Sequence, residues 1–437
     1  MKSLHLSFFL LSFAAVLNGQ PVYSLQECIG MGLERNFSIL IARNNEAITQ
    51  NNFTIGNAGF LPSFDISGRH GGTINNTNSV THDGQRTSSS GVHNTTTTGN
   101  ATLGWTIFNG FSVRNSYNRL NELQQLGSLN SQLQIENLVS RIISGYYNYI
   151  RQINTLNNMI YALSLSRERL RIDNERYILG SGSRLMVLQS QVYLNADSSS
   201  LSRQYEVVRT ARINLNELMA ASDLGEMFFT ADSSIIVDDQ LLYEKLYEQT
   251  LVNNTSLLIA SKNITISEYD YRIITARSYP YVNLTTGYNY NHFTYQSGNN
   301  RSQTVDGLNY GVSLGFNIFN GFNHRRNIAN SSIEIQTREL RYLEIEQGIK
   351  ADLLSIYNAY SNNLRLIRLE EQNLETATEN LDIALERYKL GNLSGLELRE
   401  VQKSFLDAKD RLLAIQYQSK LAEISLRLLS GAIMEYY

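Results

Sequence analysis

The string IFNGF stands at Ile107–Phe111 and again at Ile318–Phe322, 211 positions later. Downstream, ERYILGSGSRLMVLQSQ from Glu175 matches ERYKLGNLSGLELREVQ from Glu386 at the same spacing of 211. Upstream, ARNNEAITQNNFTIGNAGFLP sets Ala42 against Ala260 and Pro62 against Pro280 at a spacing of 218, so the first copy carries seven more residues between its proline and the joint. A duplication on this scale constrains the fold more than composition does, because whatever the first half builds the second half builds again. An insertion is tolerated in a surface loop, which places the seven residues in a hairpin connection.

Pro62 and Pro280 occupy matching positions, and the third proline, Pro21, lies near the N-terminus. Proline ends a helix and is tolerated at the start of a strand. After each proline the sequence alternates with period 2. Leu284, Thr286, Tyr288 and Tyr290 share one face against Asn283, Thr285, Gly287 and Asn289, and Leu314, Phe316 and Ile318 alternate with Ser313, Gly315 and Asn317. In the first copy Leu103, Trp105 and Ile107 alternate with Thr102, Gly104 and Thr106, and Phe64 and Ile66 alternate more weakly with Asp65 and Ser67. One apolar and one small polar face suit a lipid-facing exterior around a wet lumen. They equally suit a half-buried strand in a soluble sandwich. The stretches 75–99 and 297–306, rich in Asn, Ser, Thr and Gly, are expected to be exposed hairpin loops.

Beyond each joint the period becomes 3.5. Leu353, Tyr357, Tyr360, Leu364, Ile367, Leu374, Leu381, Leu385 and Tyr388 follow steps of four and three, and Ile142, Tyr146, Tyr149, Ile153, Leu163, Leu170 and Tyr177 do so 211 positions earlier. A sustained seven-residue repeat indicates coiled-coil packing. The 68 residues from Ser112 to Leu179 would span roughly 100 Å as a helix. Gly180 and Gly391 fit the left-handed residue that ends a helix, and Ser183 and Ser394 fit the N-cap of a returning one. Each copy therefore reads as helix, proline, strand, loop, strand, joint, long helix, tight turn and returning helix. Asn109, Gly110, Asn320 and Gly321 supply the backbone freedom of the joint, and Phe111 and Phe322 are expected to begin the long helices.

The first 19 residues, with Lys2 and an apolar run from Leu6 to Leu17, read as a secretory signal peptide. After them no stretch stays apolar for the roughly 18 residues that a membrane helix needs, so any membrane insertion must use strands. With 37 Lys plus Arg against 40 Asp plus Glu, the chain has no electrostatic footprint for nucleic acid. One cysteine, Cys28, excludes an internal disulfide. Gln26 and Glu27 argue against a lipid anchor there, and Leu246 at the matching position of the second copy points to a packed helix face. No metal pattern, Walker loop or nucleophile elbow is present, so neither enzyme nor cofactor is expected.

Four strands cannot close a membrane barrel, whose smallest form has eight. An open edge in hydrocarbon leaves backbone groups unpaired at several kcal/mol each. Either several chains share one barrel, or the strands cap a non-channel periplasmic coiled-coil protein.

The order and duplication of SLQECIGMGLERN, the two proline-led strands, both IFNGF joints and both hairpins resemble the TolC-like outer-membrane efflux proteins over nearly the whole chain. The resemblance implies a mainly α fold with membrane β, in which a homotrimer forms a twelve-stranded β-barrel continuous with a twelve-helix periplasmic α-barrel. It implies a signal peptide at 1–19 and a first repeat at 20–221, with strands near 62–74 and 100–110 and helices near 24–60, 112–179 and 184–220. A linker at 222–239 precedes a second repeat at 240–437, with strands near 280–296 and 307–319 and helices near 241–278, 323–390 and 395–430.

The implied function is a passive exit duct for efflux or type I secretion, set in outer-membrane lipid and reaching into the periplasm. Its implied partners are a periplasmic adaptor and an inner-membrane pump or ATP-driven exporter. Leu103, Trp105, Ile107, Leu314, Phe316 and Ile318 would face lipid. Tyr388, Glu397 and Glu400 fall on the family's closing tyrosine and luminal acids and would line the aperture, although the two glutamates also fit ordinary solvated charges. Leu393 stands where some members have a tying arginine, and Met186 replaces a first-repeat acid, which leaves Arg184 and Arg387 as substitutes for the tie.

Overall fold

The computed structural model describes residues 21–298 and 300–437, so the expected signal peptide lies outside the described residues. In chain order, strand β1 (Val22–Tyr23) precedes helices α1 (Leu25–Arg35), α2 (Phe37–Asn52) and α3 (Ile55–Ala58), strands β2 (Ser63–Val80) and β3 (Arg86–Asn109), and helices α4 (Ser112–Ile178) and α5 (Arg184–Leu218). Strand β4 (Phe229–Thr230) leads to the second copy: α6 (Tyr243–Asn253), α7 (Thr255–Ala276), β5 (Tyr281–Thr294), β6 (Ser302–Gly315), α8 (Asn323–Lys389) and α9 (Gly395–Leu429). A short 3₁₀ turn (Ile433–Tyr436) closes the chain.

Two compact units are present. The first comprises the described part of Met1–Ile41, with Gln132–Asn254 and Gln347–Tyr437. Its largest core joins Cys28 and Ile29 of α1, Ile142, Tyr146 and Tyr149 of α4, Leu215 of α5 and Ile424 of α9. A smaller second core repeats the arrangement with Leu246, Leu353, Tyr360, Ala422 and Leu426. Cys28 and Leu246 hold matching core places, as the duplication requires, and burial pushes the Cys28 thiol up to about 12. The span 222–239 does more than link the repeats, because β4 pairs in parallel with β1 and the Asp238 amide donates to Glu423 at 3.0 Å.

The second unit, Ala42–Ser131 with Thr255–Glu346, holds one antiparallel sheet in the order β2-β3-β5-β6. Ser63 pairs with Gly104 and Tyr281 with Gly315, so the two hairpins share one register under the offsets of 218 and 211. The first hairpin is longer than the sequence suggests: residues 75–80 and 86–99 are strand, with only 81–85 in the turn. Polar Asn, Ser and Thr obscure the strand there because backbone pairing between β2 and β3 sets it without an apolar alternation.

The first helical segments differ from expectation in a similar way. The spans 24–60 and 241–278 are broken at Asn36 and Asn254, which adopt extended backbone (φ −64°, ψ 127° and φ −63°, ψ 116°). Their side chains donate to Leu218 O at 3.0 Å and Leu429 O at 2.9 Å. Each asparagine thus satisfies a carbonyl at the end of a returning helix.

Candidate functional site

Both hairpins of the first unit end and restart their helices as the residue types dictate. Gly180 (φ 75°) and Gly391 (φ 83°) are left-handed. The next amides fold back, Ser181 N to Arg176 O and Asn392 N to Arg387 O, both at 2.9 Å. This is the 6→1 bond that closes a helix C-terminus. Ser183 and Ser394 then cap α5 and α9. The copies part three residues on. Glu397 completes a capping box, accepting from Ser394 N at 2.9 Å, and this bond holds its carboxyl below the usual range. Met186 at the matching place offers no such acceptor. Glu397 and Glu400 are both exposed.

Tyr388 is fully buried. Its hydroxyl donates to Asp173 Oδ1 on α4, and Ser190 of α5 donates to Asp173 Oδ2. Burial, then the Asp173 carboxylate, push the phenol up. Arg176 crosses from α4 to α8, donating to the Tyr388 carbonyl with its guanidinium 4.7 Å from the Tyr388 ring centre. Two residues of α4, Asp173 and Arg176, thus both bond to Tyr388 of α8. Arg387 donates instead to Asn392 O of its own hairpin at 3.3 Å.

About two turns further along, Arg399 of α9 forks onto Asp197 of α5 with two bonds of 2.8 Å, and Ser166 also donates to Asp197. Tyr193 lies between two cations, with the Arg169 guanidinium at 4.6 Å and that of Arg399 at 5.1 Å. Arg169 is 1% exposed, and none of its three guanidinium nitrogens has a hydrogen-bond partner among the described residues.

The seven-residue pattern could not have found these residues. Near the hairpin α4 buries Leu165, Ser166, Arg169, Ile172 and Asp173, while Tyr177 on the expected stripe is 43% exposed. The helix has changed neighbours: around Ile142 it packs on α1 and α5, whereas Leu165 and Ile172 pack against α8 and α9.

At the joints of the second unit Gly110 and Phe111 (φ 65° and 68°) and Gly321 and Phe322 (φ 67° and 60°) are all left-handed. Phe111 and Phe322 therefore do not begin the helices. They precede them, set edge-on against Phe108 and Phe319 at ring distances of 5.3 and 5.2 Å. The edge-on contact offsets the cost of a bulky residue in that region. Asn109 and Asn320 cap the first turns of α4 and α8, accepting from Val113 N and His324 N, each at 3.2 Å. A Cβ on Gly110 would lie 2.2 Å from Ala276 O and 2.9 Å from Tyr279 Cβ, whereas one on Gly321 meets only Asn323 Nδ2 at 3.7 Å.

The sheet's apolar face runs in rows. Phe64, Leu103, Thr286 and Tyr310 form one, and Ile66, Ala101, Tyr288 and Leu308 the next. Trp105, Leu284 and Val312 lie below, and a polar row of His70, Thr97, His292 and Thr304 lies above. The opposite face carries Asn100, Thr102, Asn289, Asn309 and Ser313. Leu103 and Leu314 sit on the apolar face as the alternation requires. Ile107 is an extra residue where the register shifts between Thr106 and Phe108. Phe316 and Ile318 lie past the end of β6 and are not strand, although both are exposed.

The model of the family described as "Outer membrane efflux protein" matches residues 28–221 and 246–432. No curated protein matches the sequence significantly. Among solved structures the chain is similar to CusC, a protein studied for transmembrane channel formation (16% identity, 93% of this chain and 92% of that one, TM-score 0.74). It is similar also to the outer membrane protein VceC of Vibrio cholerae (18%, 93% and 96%, 0.73), and to the MtrE outer membrane channel of Neisseria gonorrhoeae in its open state (16%, 94% and 89%, 0.73). These likenesses fix the fold, and the family match over both repeats fixes the rest: the chain belongs to the outer membrane efflux protein family, and is a non-enzymatic transport component of the outer membrane that extends into the periplasm.

Proposed function

We propose that three copies of this chain close one barrel of twelve strands, four from each, continued by a tube of twelve helices. The assembly is a passive exit duct for efflux or type I secretion. It is shut at its periplasmic tip and opened by docking to an adaptor with an inner-membrane pump. The observation that carries this reading is the state of the sheet edges. β3, whose outward side is covered by β5, stays paired through one bulge at Ile107 as far as Asn109, while its counterpart β6 stops at Gly315. Among the described residues, what β6 lacks is a second neighbour beyond β5.

The repeat supplies that neighbour. Applying the offsets of 211 and 218 to the β3–β5 register sets β6 against β2 of a second copy. The pair Ala101 and Tyr288 becomes Val312 against His70, Trp105 and Leu284 becomes Phe316 against Ile66, and Phe108 and Val282 becomes Phe319 against Phe64. Gly321, which has open space around it in one chain, would meet Ala58 and Leu61 of that copy, as Gly110 meets Ala276 and Tyr279. Closure by three chains leaves no edge in the hydrocarbon.

The apolar rows from Val282 to Tyr290 would then face lipid. Nine residues at about 3.4 Å, tilted by roughly 40°, give a band close to the 25 Å of outer-membrane barrels. At the other end we assign the Tyr388–Asp173 bond to the shut tip, with Glu397 and Glu400 as acidic rings that attract cations.

Full-length protein purified in detergent and reconstituted in planar bilayers tests the reading. The expected result is a particle of three-chain mass that carries discrete ion conductance. A monomer soluble without detergent and without conductance would favour the periplasmic coiled-coil alternative.

A further inference from the structure

Among the described residues Arg169 is a buried cation with no hydrogen bond, and such a group is costly enough that its persistence calls for a reason. Around it stand Tyr193 of α5, Arg399 of α9, Tyr388 of α8 and, one turn along its own helix, Asp173. Arg399 is engaged by Asp197. Both Asp173 oxygens are engaged by hydroxyls, from Tyr388 and from Ser190. The nearest acid to Arg169 is thus occupied by the residue that ties α8 to α4. Residues four apart on a helix lie within side-chain reach of one another, so Asp173 needs only a rotamer change to pair with Arg169.

We propose that Asp173 is a two-position latch: in the shut tip it holds Tyr388, and when α8 moves away it turns to Arg169. Arg169 is then the positioning residue that stabilises the open tip, and its present lack of a partner is the strain that lowers the barrier to opening. Ser190 holds the second Asp173 oxygen in both positions. The inference rests on the proposed gate at the hairpins. It adds to that gate a reason why opening would not leave Asp173 buried and unpaired.

Planar-bilayer recording of the full-length trimer separates the two ideas. Loss of one charged hydrogen bond in Tyr388→Phe should raise the open-to-shut ratio roughly tenfold. Arg169→Gln alone should leave the tip shut. In the Y388F background Arg169→Gln should return the ratio to within about twofold of wild type, and Arg169→Lys, which keeps the charge, should retain the increase. Glutamine and lysine keep a long polar side chain against Tyr193, so these variants are expected to assemble, and the trimer mass checks that they do. A Y388F/R169Q channel as open as Y388F overturns the latch and leaves the gate standing, as does R169Q opening the tip by itself. An unchanged ratio in Y388F overturns the gate and the latch with it.

Discussion

Tyr388 and Asp173 lie 215 positions apart, one on each repeat, and meet in a hydrogen bond between two buried side chains. The bond joins α8 to α4 seven residues before the first hairpin glycine, beside the small core of Ile172, Ala384 and Leu398. Asp173→Asn keeps the shape and removes the charge that makes the bond strong, at a cost of about 1 to 2 kcal/mol. Conductance of the variant should rise in parallel with that of Y388F. A rise in one without the other would separate the two residues.

The buried tyrosines of the first unit make stability sensitive to alkali. Burial pushes Tyr147 and Tyr360 to about 12, and burial also raises Tyr146, Tyr388 and Tyr436. The unfolded chain ionises these phenols near pH 10, so the folded state binds more protons above that pH and its stability falls as pH rises. Melting temperature should be flat from about pH 8 to 9.5 and then drop steadily toward about 12. Tyr360→Phe should make the drop shallower while leaving the neutral-pH slope unchanged.

Glu397 caps α9 and, in the proposed duct, also lines the aperture, and one substitution can divide the two. Glutamine serves in a capping box as glutamate does, so E397Q keeps the start of α9 and removes the charge. E397Q/E400Q channels should lose block by polyvalent cations while amide exchange around residues 394–398 stays protected. E397A should lose both. Unchanged cation block in the glutamine pair would take these residues off the aperture.

The two joint glycines should differ in one chain and agree in the assembly. A left-handed backbone costs alanine about 1 kcal/mol at either place, but G110A adds a clash with Ala276 O. If a second copy packs against Gly321, G321A should lower the thermal stability of the trimer as severely as G110A does. A G321A trimer as stable as wild type would mean that no neighbour approaches there.

Sequence reasoning reached the parts of this fold where one residue type has one physical use. Gly180 and Gly391 had to be left-handed turns, Ser183 and Ser394 had to be caps, and Cys28 had to be core once Leu246 stood in its place. It failed where the use depends on a distant neighbour. Asp173, Arg169 and Ser190 look like surface residues of a charged helix until α8 and α9 cover them. The polar strands at 75–80 and 86–99 look like loops because backbone pairing, chiefly to one another, sets them and no apolar alternation marks them. Phe111 and Phe322 look like helix starts because nothing local marks their left-handed backbone, which Phe108 and Phe319 support edge-on across the turn.

The claim that three chains close one barrel is tested most directly by the β6–β2 register. The double variant His70→Cys/Val312→Cys places the two thiols on directly opposed residues of neighbouring chains, with Cβ atoms about 5 Å apart. The natural Cys28 is buried and free, with its thiol held protonated, so it adds no background. Mild oxidation of the assembled protein should give covalent trimers on denaturing gels, whereas Arg69→Cys/Val312→Cys, slipped by one residue to the opposite face, should stay monomeric. Efficient linking of the slipped pair, or no linking of His70→Cys to Val312→Cys, would contradict the barrel.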